Sequence, residues 1–293
     1  MSDRGILSSL RYLLADFIGE DDDTPPFLPE GLPEPVMAAA SDAIHLLIEY
    51  QGTSYAQLYV DRLRRFVGKN GVDDAMLSDI ARLMAARMSY EDPVRIAQLK
   101  LAELDEPSTA LAGPAVEVRK FRLDELIGAL PAVVAEHVLD ALEWAGWRHR
   151  MVSIRFSTAS RLGIRRLKIE AGLRRWRLFS VGYAKERAWV ERWLHMIDRS
   201  LTKQPAAASA IVQSAAMIHG YGEEYRQGMA DWIAIIDGLV KPTFDGVLAL
   251  PDLAGAVAEA RAAALPDPRQ AALKRKIAEI RAGVPAGSNT AAG

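Results

Sequence analysis

Apolar residues recur at helical spacing along most of the chain. Ile6, Leu10, Leu13, Leu14 and Phe17 predict a short amphipathic helix over 4–18. The next stretch, "GEDDDTPPFLPEGLPEP" from Gly19 to Pro35, holds five prolines and six acids. Proline removes backbone donors and biases the preceding residue away from helix. The stretch therefore reads as an extended linker, and the first helix as a docking appendage. From Val36 one helix follows another. One spans 37–50 with Ile44, Leu47 and Ile48 inward, and the next spans 53–67 with Tyr55, Leu58, Tyr59, Leu63 and Phe66 inward. Asp73 is placed to cap a helix running to about Ser89, and Pro93 fits the first turn of one running to about Leu104.

The period then changes. "DEPSTALAGPA" reads as a loop. In "AVEVRKFRLDEL", Val116, Val118 and Phe121 nearly alternate with Glu117, Arg119 and Lys120, which predicts a strand. "MVSIRFS" predicts a second, with Val152, Ile154 and Phe156 on one side. Pro131 opens a helix between them that runs to about Ala145, and the two strands can pair. The rest reads as helix, over about 159–176, 181–201, 206–219, 223–239, 252–264 and 268–282. The expected fold is mainly α: a multi-helix domain over 36–282 with at most a small two-stranded sheet, then a disordered tail over 283–293.

Composition narrows the classes. Half the residues are hydrophobic and a quarter charged, as in ordinary globular proteins, and the net charge of −2 argues for neither nucleic acid nor membrane as partner. There is no cysteine, which excludes disulfides and cysteine-ligated Fe–S clusters in this chain. The N-terminal apolar patch is interrupted by Arg11 and Asp16, unlike a signal peptide, and no apolar run reaches the ~18 residues of a membrane span. The cytoplasm is the expected location.

Local charge is less even. Between Arg148 and Arg177 lie ten Lys or Arg and a single acid, Glu170. On a helix Arg161, Arg165 and Lys168 share one face, with Arg175 at the end of the same stripe. This pattern suits an anion or an acidic partner, although pairing with acids elsewhere in the chain explains it equally well. The five histidines show no metal-ligand spacing, and His45 and His137, in apolar helical contexts, read as packed or capping residues. Trp144, Trp147, Trp176, Trp189 and Trp193 surround the basic stretch and read as core and helix-contact anchors. In "RMSYEDPVRIAQLK", Tyr90 reads as packed at a corner, with Glu91 or Asp92 capping the helix that follows. In "HGYGEE", His219, Gly220, Tyr221 and Gly222 read as a helix corner. No strand precedes them, and acids follow at once, which makes a phosphate loop a poor fit.

Taken together, "YQGTSYAQLYVDRL" (Tyr50–Leu63), "MSYEDPVRIAQLK" (Met88–Lys100), "GLRRWR" (Gly172–Arg177), "YAKERAWVERWL" (Tyr183–Leu194) and "HGYGEEYRQG" (His219–Gly228) resemble one family in order and spacing. That family is the beta subunit of indolepyruvate ferredoxin oxidoreductase-like proteins, in its C-terminal helical region. The resemblance spans roughly Ala43 to Ala282. It implies a part in oxidative decarboxylation of arylpyruvates and other 2-oxo acids. It also implies thiamine diphosphate, coenzyme A and Fe–S clusters on partner subunits, with electrons passing to ferredoxin.

Two departures stand out. The Gly-rich, gamma-type α/β domain with which the family subunit usually begins is replaced by Met1–Pro35. The family's Lys-Gly-Tyr-Gly-Asp-Thr-His reads His219-Gly220-Tyr221-Gly222-Glu223-Glu224-Tyr225. Nor is there a Gly-Asp-Gly motif for thiamine diphosphate. The resemblance thus implies an accessory subunit with no catalytic residue or cofactor of its own, needing separate catalytic and gamma-type subunits. A stand-alone helical protein that binds a small anion, or an enzyme of another class, is the alternative.

Overall fold

The computed structural model describes residues 28–105 and 116–283, except the side chains of Asp105 and Arg175. The expected helix over 4–18, the first part of the linker, nearly all of the "DEPSTALAGPA" loop and the tail from 284 lie outside the described residues.

The fold is mainly α with one two-stranded antiparallel sheet. Within the expected span the chain forms two compact units, each assembled from separated segments. Of the described residues, one unit takes those up to 65 and those within 84–189, the other those of 66–83 and those from 190 on.

In the first unit, α1 (Glu34–Tyr50) packs against α2 (Thr53–Arg64). The helical period decides what they bury: Ile44 and Leu47 on α1, and Tyr55, Leu58, Tyr59 and Leu63 on α2. After α3 (Asp74–Met88) comes α4 (Pro93–Asp105), then β1 (Val116–Arg122). The strand ends where a short helix α5 (Leu123–Gly128) begins, four residues before the end of the stretch that reads as strand. The Glu125 carboxylate accepts a hydrogen bond from Arg122 N at 2.9 Å, a reach-back cap that turns the chain out of the ladder. Next come α6 (Ala132–Trp144), β2 (Met151–Ser157) and α7 (Arg161–Gly172). Val116 pairs with Ser157 and Arg122 with Met151. Phe121 and Phe156 meet edge-on, 6.4 Å apart, and form the core with Ile96 and Ala97 of α4 and Leu167 of α7.

Beyond Gly172 the expected helix tightens into a 3₁₀ turn, Leu173–Phe179. Arg175 falls in that turn, beyond the helix that carries Arg161, Arg165 and Lys168.

The second unit takes the start of α3, which Asp73 caps by accepting from Met76 N at 2.8 Å, and everything after Trp189. It holds the end of α8 (Val181–Lys203), then α9 (Ala208–Ser214), α10 (Gly222–Ile235), α11 (Lys241–Phe244), α12 (Leu253–Ala262) and α13 (Ala271–Ala282). Trp193 and Trp232 are buried here and direct their indole N–H groups to Ile211 O and to Ser214 Oγ. Between α10 and α11 the helix widens into a π segment, Ile236–Val240, just before Pro242. Proline has no N–H for the carbonyl four residues earlier, here Gly238. Arg281 Nη1 donates to that carbonyl at 2.8 Å.

Candidate functional site

Three of the five stretches that carry the resemblance meet at one side chain, Arg177, and a fourth joins the cluster through Tyr183. Arg177 is 2% exposed and follows α7 in the 3₁₀ turn. Its Nε and Nη2 donate to the two oxygens of Asp92 at 2.7 and 2.9 Å. Its Nη1 donates to Tyr50 O at 2.8 Å and to Gln51 Oε1 at 3.2 Å. Its guanidinium carbon lies 3.9 Å from the centre of the Tyr50 ring. Four of the five N–H donors of an arginine are thus used internally.

The partners are fixed in turn. Asp92 Oδ1 caps α4 by accepting from Arg95 N at 2.7 Å, and Arg95 Nη1 donates to Glu49 at 2.7 Å. Gln51 Nε2 donates to Arg174 O at 3.0 Å. The Tyr50 ring stacks on Tyr55 at 5.9 Å and meets Tyr90 edge-on at 6.1 Å, and Tyr55 lies 5.8 Å from Tyr183. Tyr55 donates to Met88 O at 2.9 Å. Nearby, Arg87 Nη2 donates to Glu186 at 2.9 Å.

Burial sets the chemistry of this cluster. It pushes the phenols of Tyr50, Tyr55 and Tyr90 well above the ordinary tyrosine value, so they stay protonated. For Arg177 burial alone disfavours the charge, but Tyr50 and Asp92 more than offset it and raise its pKa. The Tyr50 hydroxyl is buried without a hydrogen-bond partner among the described residues. A guanidinium with four of its five donors committed, among neutral phenols, is suited to clamping chain segments together. It leaves one N–H, buried, to offer an outside anion.

Of the corner residues, Asp92 is the cap and Tyr90 packs as the sequence suggests. Glu91 takes a different partner and accepts from Arg119 Nη1 at 2.7 Å. Arg177 itself was legible only as one basic residue among ten. Its distinguishing signal is the apolar pair that follows it, Leu178 and Phe179, where the basic run ends.

The basic stretch divides. Arg166 pairs with Glu170 at 2.7 Å, Arg148 pairs with Glu143, and Arg150 lies 5.8 Å from the Trp147 ring centre. Arg161, Arg165 and Lys168 are exposed on α7 and have no ion-pair partner among the described residues. The Arg175 side chain lies outside the described residues.

Two expectations are corrected here. Trp144, Trp147 and Trp176 are 92%, 55% and 53% exposed, so they anchor no core. His45 and His137 are exposed too, His137 beside Val133 and Val134, which are also exposed, so neither histidine is packed.

His219, Gly220, Tyr221 and Gly222 belong to the second unit, as the corner before α10. Gly220 and Gly222 have φ of 69° and 60°, which glycine tolerates best. His219 Nδ1 lies 3.1 Å from Glu224 Oε1, both on the surface. The corner borders a cavity of about 480 Å³ with Glu223, Asp231, Arg261 and Leu265. Asp231 accepts from Gln227 and Gln270 at 2.9 and 2.8 Å. Burial lowers the Arg261 pKa, and its Nε has no partner among the described residues. No group of three or more His, Asp or Glu is arranged to hold a metal ion among the described residues. No helix among them is long and apolar enough to cross a membrane.

A family model described as a family of unknown function, DUF6537, matches residues 36–238, well over half of the chain. The chain belongs to the DUF6537 family. The match opens inside α1 and ends inside the π segment, so it encloses all five resemblance stretches and the whole Arg177 cluster. No curated protein and no solved structure matches the chain.

Proposed function

We propose that this DUF6537 chain is a helical accessory subunit of a 2-oxoacid:ferredoxin oxidoreductase of the indolepyruvate type, acting in the cytoplasm. One observation carries the reading. Three stretches of the resemblance, separated by as much as 127 positions in chain, are joined by the bonds of Arg177, and a fourth touches the cluster through Tyr183 and Tyr55. Stretches that share one structural reason are a stronger signature than five short strings.

The chemistry of the cluster supports an accessory role. Its phenols are neutral and its guanidinium is occupied, so it organises helices without reacting. A chain without cysteine supplies no thiolate to an Fe–S cluster. The clusters, thiamine diphosphate and coenzyme A then belong to catalytic and gamma-type partner subunits, with ferredoxin as the acceptor.

Reconstitution tests the proposal. The tagged chain is co-expressed with a thiamine-dependent and a gamma-type polypeptide of the indolepyruvate type from the same source. It is expected to co-purify with them, and indolepyruvate- and coenzyme-A-dependent reduction of ferredoxin is expected to fall when it is omitted. Absence of association together with unchanged turnover on omission would overturn the assignment, as would turnover by the isolated chain.

A further inference from the structure

The cavity beside the α10 corner holds opposite charges that do not pair. Glu223, Gln227 and Asp231 stand at every fourth position of α10, so they form one row about 12 Å long at ~1.5 Å per residue. Arg261, at the end of α12, lines the same cavity. Its side chain has no hydrogen bond and no ion pair among the described residues, and burial lowers its pKa with no acid to offset the effect. Glu223 is unpaired too among the described residues.

Asp231 is built in more firmly. It is 5% exposed, and its Oδ1 takes the amide bonds of both Gln227 and Gln270. Its Oδ2 takes none among the described residues. Gln270 holds φ at 55°, the one positive value outside glycine among the described residues. A left-handed glutamine is strained, and the strain is kept where its amide fixes the carboxylate.

The volume, about 480 Å³, is that of small-molecule sites, and Met217, Leu265, Pro266 and Pro268 make much of the lining apolar. Half-buried charges left unpaired are costly, so an occupant that compensates them is favoured. It must bring an anionic group for Arg261, cationic groups for Glu223 and Asp231, and an apolar body between them. A basic amino acid has that composition: a carboxylate, two cations and a short run of methylenes.

We propose that this cavity binds a free basic amino acid such as lysine or arginine, with its carboxylate on Arg261 and its two cationic groups on Glu223 and Asp231. The inference does not depend on the oxidoreductase reading.

Titration calorimetry of the full chain tests it. L-Lysine or L-arginine is expected to bind saturably below about 10 mM. Cadaverine lacks the carboxylate and norleucine the side-chain cation, and each is expected to bind about tenfold more weakly than lysine, for one lost charge-assisted hydrogen bond. Nα-Acetyllysine, which stands for the C-terminus of a peptide, is expected to be weaker as well. Arg261→Met is expected to bring lysine down to the affinity of cadaverine. Glu223→Gln, an exposed change that spares the core, is expected to weaken lysine about tenfold and cadaverine with it. Three results would each overturn the proposal: no saturable binding of either basic amino acid, cadaverine, norleucine or Nα-acetyllysine binding as tightly as lysine, or a lysine affinity indifferent to both substitutions.

Discussion

Arg177 and Asp92 form a buried ion pair whose members depend on each other. Each was paid for by desolvation, and removing one strands the other. Arg177→Ala is therefore expected to cost about 3–5 kcal/mol in urea denaturation. Asp92→Ala is expected to cost a similar amount, and the double variant clearly less than the sum. A purely additive result would show that the pair is not coupled. Gly228 makes a different kind of demand. A Cβ there would lie 2.1 Å from the Met217 carbonyl oxygen. Gly228→Ala is expected to destabilise by about 1–3 kcal/mol, read as a lowered midpoint, because backbone atoms must move. Neither residue announces this role in the sequence. Arg177 sits in a basic run, and Gly228 sits inside a helix where alanine has the better propensity. What distinguishes them is a neighbour distant in sequence for Arg177 and a crowded backbone crossing for Gly228.

The sheet shows how an element can be legible while its faces are not. Alternation in "AVEVRKF" is interrupted, since Val118 and Phe121 are three apart and so lie on opposite faces. Phe121 is buried and Val118 is 57% exposed. Glu117 and Arg119 share the inner face with Phe121, where Lys100 Nζ reaches Glu117 at 2.9 Å and Arg119 pairs with Glu91. Val118→Lys is expected to change stability by no more than ~0.5 kcal/mol, and Phe121→Ala to cost about 3–5 kcal/mol. Equal costs would mean that the register is wrong.

The same network gives the fold a pH window. Burial alone would raise the Glu117 pKa, but the Lys100 and Arg119 hydrogen bonds outweigh it and hold the carboxyl below its ordinary value of 4.5. A depressed carboxylate stabilises above that value and loses its contribution as the pH falls through the folded pKa. Burial also opposes the Lys100 charge, and Glu117 and Glu103 outweigh it and raise the pKa above 10.5. That contribution is full below 10.5 and is lost as the pH rises through the folded value. Glu117→Gln is expected to lower stability near neutrality and to flatten its fall below about pH 4.5, in denaturation midpoints taken across pH. An acid limb as steep as in the unaltered chain would remove Glu117 from the account.

At the scale of the whole molecule, deleting residues 1–27 is expected to leave the far-UV spectrum helical and to shift Tm by under about 2 °C, because the buried apolar residues described above all come from Leu32 onward. A larger loss would make the segment part of a core. Much of this architecture is readable from the chain alone. Period 3.6 and period 2 are local properties, so the helices, the two strands and the caps at Asp73 and Asp92 follow from residues a few positions apart. The mainly α class follows from their sum. Tertiary structure alone decided what each element faces. The division into two units, the exposure of Trp144, Trp147 and Trp176, the π segment before Pro242 and the meeting of three stretches at Arg177 all depend on residues far apart in sequence. A single sequence records that a side chain is apolar or charged. Whether that side chain is covered or paired depends on which distant segment arrives beside it, and that is settled by packing.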